Sequence, residues 1–312
     1  GIESVTRDLA LRWTEPESAL ALAEGPALPP PRAGAVPSLG DDEPFYAFQW
    51  PHGAIQAPEA WNAGYTGRGV RVAVVDGGLY ADHPDLGANV DRAASRSFVP
   101  GFTWDQDAGT FWHGTHVAGI VAAADNGRGV VGVAPGATLV GVKVLHGNVG
   151  AFDGIIAGIY YAATPRERGG ARADVVNLRL GLAVDGRARE TREEVRELAK
   201  AVDRAVRYAV RQGAVVVAST GNDGRNADES RGWVDTPVDS PGAIGVSATG
   251  PLGWALGAAD FGRPASYSTH GKWLVHLPAP GGDTAYPGAE ACTVRAFTPS
   301  CRTFDRVLST AR

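Results

Sequence analysis

The chain has 312 residues and a mass of 32.4 kDa, enough for one large domain with an extension or two modest domains. Hydrophobic residues at 44% against 20% charged fit a packed core rather than a disordered chain, and no uninterrupted apolar run reaches the ~18 residues of a membrane span. The net charge of −5 and a pI near 5.8 give no basic footprint, which argues against nucleic acid as a partner.

Residues 1–40 differ from the rest. Val5–Trp13 reads as a short strand and Pro16–Glu24, rich in Ala and Leu, as a short helix. Pro26, Pro29, Pro30, Pro31 and Pro37 then mark an extended linker, and from Asp41 the composition is that of a compact domain running to 312. Within it, β-branched runs at Val70–Asp76, Thr138–Leu145, Asp174–Leu178, Ala214–Ser219 and Ala243–Ala248 read as strands. Several are apolar almost throughout, as expected where both faces of a parallel sheet are covered. His116–Ala124, Phe152–Ala163 and Arg187–Gln212 read as helices between them. In the last, Val195, Leu198, Val202, Ala205, Val206 and Ala209 recur at three- and four-residue spacing, and Gly213 stands at a helix-ending position. The alternation predicts an α/β layered fold with a mostly parallel central sheet flanked by helices.

In such a sheet, sites collect at the carboxyl ends of the strands. Three segments there carry reactive groups: Asp76 ending VAVVD, His113 opening the small-residue run HGTHVAG, and Asn222 in Gly-Asn-Asp-Gly after AVVVAS. Singly, each has a structural explanation as a cap, a buried histidine or a turn. Jointly they suit acyl-transfer chemistry. A carboxylate fixes the tautomer of an imidazole and stabilises its protonated form, and an amide donates to a developing oxyanion.

These segments resemble the motifs of the subtilisin-like serine proteases, the subtilases. VAVVDGGLYADHPDL is similar to the family's aspartate motif, HGTHVAGIVAA to its histidine motif and VVVASTGNDG to its oxyanion-hole segment. VVGVAPGATLVGVKVL, SPGAIGVSATG and ASYSTHGKWLVHLPAPGG add to the resemblance, which spans about residues 44–312. It implies a three-layer subtilisin-like fold, polypeptide substrates, and roles for Asp76 as orienting carboxylate, His113 as general base and Asn222 as oxyanion donor. It also implies a substrate-binding strand at Arg179, Leu180 and Gly181, where arginine replaces the family's small serine; an Arg179–Asp223 pair is one expectation for that cation. The family's nucleophilic serine lies in Gly-Thr-Ser-Met-Ala, and this sequence has neither methionine nor Gly-Thr-Ser. Val307–Thr310 resembles the strand that precedes that motif. Truncation is the expected explanation, and residues 1–312 are expected to be inactive alone. The alternative is a catalytically dead binding module on the same scaffold.

Asp85 and the loop 124–130, with Asn126 as side-chain ligand and Asp42 or Glu43 nearby, resemble the family's structural calcium site. No catalytic cofactor is implied. A zinc pair at His113 and His116, completed by Asp76 or His83, is the competing metal reading, weakened by Gly114 and Thr115 standing where helical zinc hydrolases place glutamate. Residues 1–15 resemble the end of an inhibitory pro-segment, with processing before Phe45. Cys292 and Cys301, close together in a Gly/Pro-rich stretch, are expected to form a local disulfide. With the family resemblance this suits a secreted or extracytoplasmic protein, although no leader segment is visible.

Overall fold

The computed structural model describes residues 10–12, 19–20, 40, 42–106, 113–147, 149–185, 192–230 and 232–311. Most of the expected pro-segment and the proline-rich linker lie outside these residues. Seven strands form one sheet: β1 (Arg71–Asp76), β2 (Arg96–Ser97), β3 (Thr138–Lys143), β4 (Val175–Leu178), β5 (Val215–Ser219), β6 (Ala243–Thr249) and β7 (Leu277–Pro280). Their spatial order is β7-β6-β5-β4-β1-β3-β2, and all six pairings are parallel. The three longest helices among the described residues are α1 (His113–Ala122), α2 (Phe152–Ala163) and α3 (Arg192–Arg211).

The period of two along β1 separates two cores. Ala73 and Val75 pack with Ile155 and Ile159 of α2 and with Leu198, Val202 and Val206 of α3. Val72 and Val74 pack on the opposite face with Val117, Ala118 and Ala122 of α1, joined by Phe48, Phe304 and Leu308. This is why the strand is apolar at successive positions: each face has its own helical cover. Burying side chains such as Leu198 and Val202 contributes roughly 1.5–3 kcal/mol each. α3 ends before Gly213, which takes φ +90° and donates its N–H to Val210 O at 2.9 Å.

The five expected strands are present within one or two residues, save that Leu145 leaves the third: Leu145–His146 pairs with Val149–Ala151 in a separate small sheet. The expected helix over 16–24 is contradicted at its described residues. Ala19–Leu20 is extended and pairs in parallel with Val307–Leu308, so a partner strand overrides the local Ala/Leu preference. Ala10–Arg12 is strand, as expected, and pairs antiparallel with Val149–Ala151. The two outermost strands, β2 and β7, were not readable from pattern. One has two residues, and the other is Leu-Pro-Ala-Pro, tolerated because an edge strand does not need every N–H. Among the described residues, no helix is long and apolar enough to cross a membrane.

Candidate active site

Asp76 ends β1 in the middle of the sheet, 2% exposed, and His113 is the first residue of α1, 7% exposed. His113 Nδ1 lies 2.8 Å from Asp76 Oδ1, which also accepts the Gly77 N–H at 2.6 Å. The imidazole therefore meets the carboxylate through Nδ1, and Nε2 is the nitrogen on its far side. The approach requires glycine at 114. A Cβ there would overlap the Gly78 carbonyl oxygen and lie 3.2 Å from Asp76 Oδ1. Beneath the aspartate turn, Lys143, opposite Asp76 in register and fully buried, donates from Nζ to the carbonyls of Gly77 and Leu145. Sequence reasoning missed this lysine. Its only signal was a charged residue inside an apolar strand.

The rest of the HGTHVAG run is explained by packing. Thr115 Oγ1 accepts the Tyr80 N–H at 3.0 Å. His116 is buried, with Nε2 3.3 Å from Val307 O. Burial, and then the nearby positive charge of Arg179 and His113, drives its pKa down to about 3, so it is a neutral structural histidine at ordinary pH. Gly119 admits the 307–310 segment: Ser309 Oγ donates to His116 O at 2.8 Å and Thr310 Oγ1 to Thr115 O at 2.7 Å, and a Cβ at 119 would overlap both hydroxyls. The zinc alternative does not assemble. Among the described residues, the one group of three or more potential ligands that converges is Asp42, Glu43 and Asp125.

Asn222 is half-buried in the loop after β5. That loop is pinned to its neighbour by Thr220 Oγ1 donating to Thr269 O at 2.7 Å and by Thr269 N donating to Gly221 O at 3.0 Å. A cavity of about 230 Å³ is lined by Asn222, His116, Asn177, Arg179 and Val307, among others, so the Asn222 loop borders a space shared with the helix that begins at His113. Leu180 is buried and Gly181 half-buried. The ion pairs among the described residues do not include Arg179 with Asp223, contrary to the expectation. The Arg179 side chain instead lines the cavity beside His116, whose charge environment it shapes.

Beyond the C-terminus of α1, Glu43 Oε1 accepts the N–H groups of Asn126 at 2.5 Å and Gly127 at 2.8 Å. Burial, with Asp85 and Asp125 nearby, pushes the Glu43 carboxyl up to about 7. Its Oε2 is buried with no hydrogen-bond partner among the described residues. Ligating oxygens of Asp42, Glu43 and Asp125 lie within 4.8 Å of one another. Asp85 Oδ2 accepts the Val130 N–H at 3.2 Å, while Asn126 Nδ2 donates to Pro84 O at 3.3 Å. Glu43 is the carboxylate that binds the Asn126 loop. A carboxylate cluster of hard oxygen donors fits a calcium ion. Cys292 and Cys301 are joined, as expected.

A family model described as the subtilase family matches residues 67–310. An intracellular serine protease of Paenibacillus polymyxa is 36% identical over 244 residues, covering 77% of this chain and 65% of that protein. Subtilisin E of Bacillus subtilis is 38% identical over 239 residues, covering 76% of this chain and 53% of its own length. The chain therefore spans between half and two thirds of the length of these relatives. Among solved structures, a protease of Pseudoalteromonas arctica superposes with a TM-score of 0.62 at 28% identity, covering 84% of this chain and 80% of that one. The nisin leader peptidase NisP of Lactococcus lactis superposes at 0.65 with 21% identity, covering 84% and 81%, a likeness of fold.

Proposed function

The chain belongs to the subtilase family, and from that premise we propose that it carries the aspartate, histidine and oxyanion-hole parts of a serine endopeptidase active centre. The observation that carries the reading is the 2.8 Å contact between His113 Nδ1 and buried Asp76. Asp76 holds the ring so that Nε2 takes the proton of an attacking serine and returns it to the leaving amine, and the imidazolium formed meanwhile is stabilised by the carboxylate. Asn222 donates to the oxyanion of the tetrahedral intermediate; in subtilisin, the loss of one such donor by mutation costs ~3–4 kcal/mol. An extended polypeptide pairs with the backbone of Arg179–Gly181. The sequence contains no Gly-Thr-Ser, and the cavity beside Asn222 and His116 leaves room for a serine side chain.

Residues 1–40 are read as the end of a pro-segment, over 1–15, followed by a proline-rich linker. In support, Ala10–Arg12 adds an antiparallel strand to Val149–Ala151 in the manner of a bound peptide. A calcium ion held by Asp42, Glu43 and Asp125, with Asp85 and the Asn126 loop adjoining, would neutralise the carboxylates and tie the start of the domain to the loop 124–130. The disulfide supports an oxidising, extracytoplasmic compartment.

The test uses the product of the complete coding sequence beside residues 1–312. The complete product hydrolyses peptides and is labelled by a fluorophosphonate, His113→Ala abolishes both, and residues 1–312 show neither. A complete product that folds, binds peptides and takes no label would instead be a binding module.

A further inference from the structure

Among the described residues, Lys143 is the bulkiest side chain that is fully buried. It ends β3, and its register partner on β1 is Asp76. Val72 and Leu139, paired earlier in the same ladder, both pack on the α1 face, and the period of two brings Asp76 and Lys143 out on that face as well. The two side chains thus leave adjacent strands side by side, with backbones about 5 Å apart. Nζ donates to the Gly77 carbonyl and, at 2.6 Å, to the Leu145 carbonyl. The Phe102 ring, stacked on His146, lies 6.0 Å from Nζ.

Each carbonyl belongs to a segment that bears on the reaction. Gly77 is held at both ends: its N–H binds Asp76 Oδ1 at 2.6 Å, and its carbonyl accepts from the ammonium. Asp76 Oδ1 is also the oxygen that meets His113 Nδ1. Leu145 opens a small antiparallel pair with Val149–Ala151, the strand on which Ala10–Arg12 is laid. Burying an ammonium is costly, and the Asp76 carboxylate on the neighbouring strand offsets that cost. The charge reaches beyond its own partners: burial, and then the cation of Lys143, hold the His146 imidazole below the usual histidine range.

We propose that Lys143 is a positioning residue for the Asp76–His113 pair. Its ammonium fixes the Gly77 peptide that aims the carboxylate, and it ties this turn to the strand pair where an extended chain docks. The role rests on the endopeptidase reading. Lysine suits it because three donors radiate from one charged atom, so carbonyls from two separate segments are held at once. The charge acts in a second way. A cation beside the carboxylate opposes protonation of His113, so the base remains free to lower pH. Of the ionisable side chains on the elements around His113, Tyr80 of the aspartate turn, His116 of α1 and Arg179 across the cavity are left in place by a change at 143.

The experiment replaces Lys143 in the complete product by methionine, which keeps the stem without the charge, by glutamine, a neutral donor, and by arginine. Folding is checked by circular dichroism. kcat and KM are followed across about pH 5–9, and the His113 titration is read by histidine NMR in the same proteins, assigned with His113→Ala. In Lys143→Met, kcat is expected to fall about tenfold or more while KM changes less than about threefold. The His113 titration and the acid limb of the profile move up by about half to one pH unit. Lys143→Gln shows the same upward move with a smaller loss of kcat, and Lys143→Arg keeps the parent's titration. An unmoved or lowered His113 titration in a folded neutral variant overturns the inference, even where stability has fallen, and so does an unchanged kcat. A folded Lys143→Arg that shifts as far as Lys143→Met overturns it too. Should Lys143→Met not fold, Lys143→Gln decides. A parent that cleaves no peptide sinks the endopeptidase reading, whereas the His113 titration still decides whether Lys143 governs the pair.

Discussion

Gly114→Ala tests whether the Asp76–His113 geometry depends on the close approach of α1 to the aspartate turn. The added methyl would overlap the Gly78 carbonyl oxygen, lie 3.1 Å from its carbon and 3.2 Å from Asp76 Oδ1. The nearest obstacle is backbone, so no rotamer change relieves the clash, and the start of α1 must retreat by about 1 Å to restore ordinary contact distances. Overpacking of this kind costs about 1–3 kcal/mol. Weakening the buried His113–Asp76 hydrogen bond adds about 1–3 kcal/mol, and alanine's helix propensity returns about 1 kcal/mol. The net expectation is about 3 kcal/mol of destabilisation, a fall in Tm of roughly 6–12 °C for a domain of this size. The contrast is Gly53→Ala in the short helix Trp50–Ala54, where the position is exposed and a Cβ meets nothing within 4 Å. That change should stabilise by up to ~1 kcal/mol. Denaturant unfolding of both variants supplies the comparison. If Gly114→Ala proved as stable as Gly53→Ala, the argument that glycine at 114 exists to admit the Gly78 carbonyl would be wrong.

Three other outcomes are expected. Burial holds His116 and His52 neutral with folded pKa values below the unfolded one, so their contribution to stability is lost as pH drops below about 6.5, whereas the raised Glu43 and Asp235 carboxyls contribute in the opposite direction. The His116 part approaches about 1.4 kcal/mol per pH unit and is read as the difference in slope between the parent and a folded His116→Gln, by denaturant titration between about pH 7 and 4.5. Removing calcium by chelation should lower Tm by several degrees, and Glu43→Gln should abolish that difference; equal melting curves with and without calcium would rule out the ion at Asp42, Glu43 and Asp125. Reducing Cys292–Cys301, which closes a short loop, should cost about 2–3 kcal/mol, measured by unfolding with and without reductant.

The layers of this fold were legible because their signals are local. An extended run with both faces apolar marks β1, β3 and β5, and the 3.6-residue spacing of Leu198, Val202 and Val206 marks α3. Asp76 and His113 were legible because each closes or opens such an element within a short motif. The contact between them, 37 positions apart, was implied only by resemblance until the structure brought them together. The part of Glu43 in the acidic site was visible only as a neighbouring carboxylate, because it reaches Gly127 across 84 positions. Likewise, Ser309 clasps His116 across 193 positions, and nothing in the tetrad Val307–Thr310 announces it. The extended pairing of residues 19–20 and the Arg225–Asp235 ion pair are of the same kind.

Sequence alone determined which stretches are strands and helices and which residue types are on hand for acid–base work. Tertiary structure alone decided which charges share a low-dielectric space, and therefore which are paired, shifted or left for a ligand. Local patterns record a residue's own backbone preference and its need for burial, whereas the strength of an electrostatic contact depends on distance and desolvation, which exist only after remote segments have packed.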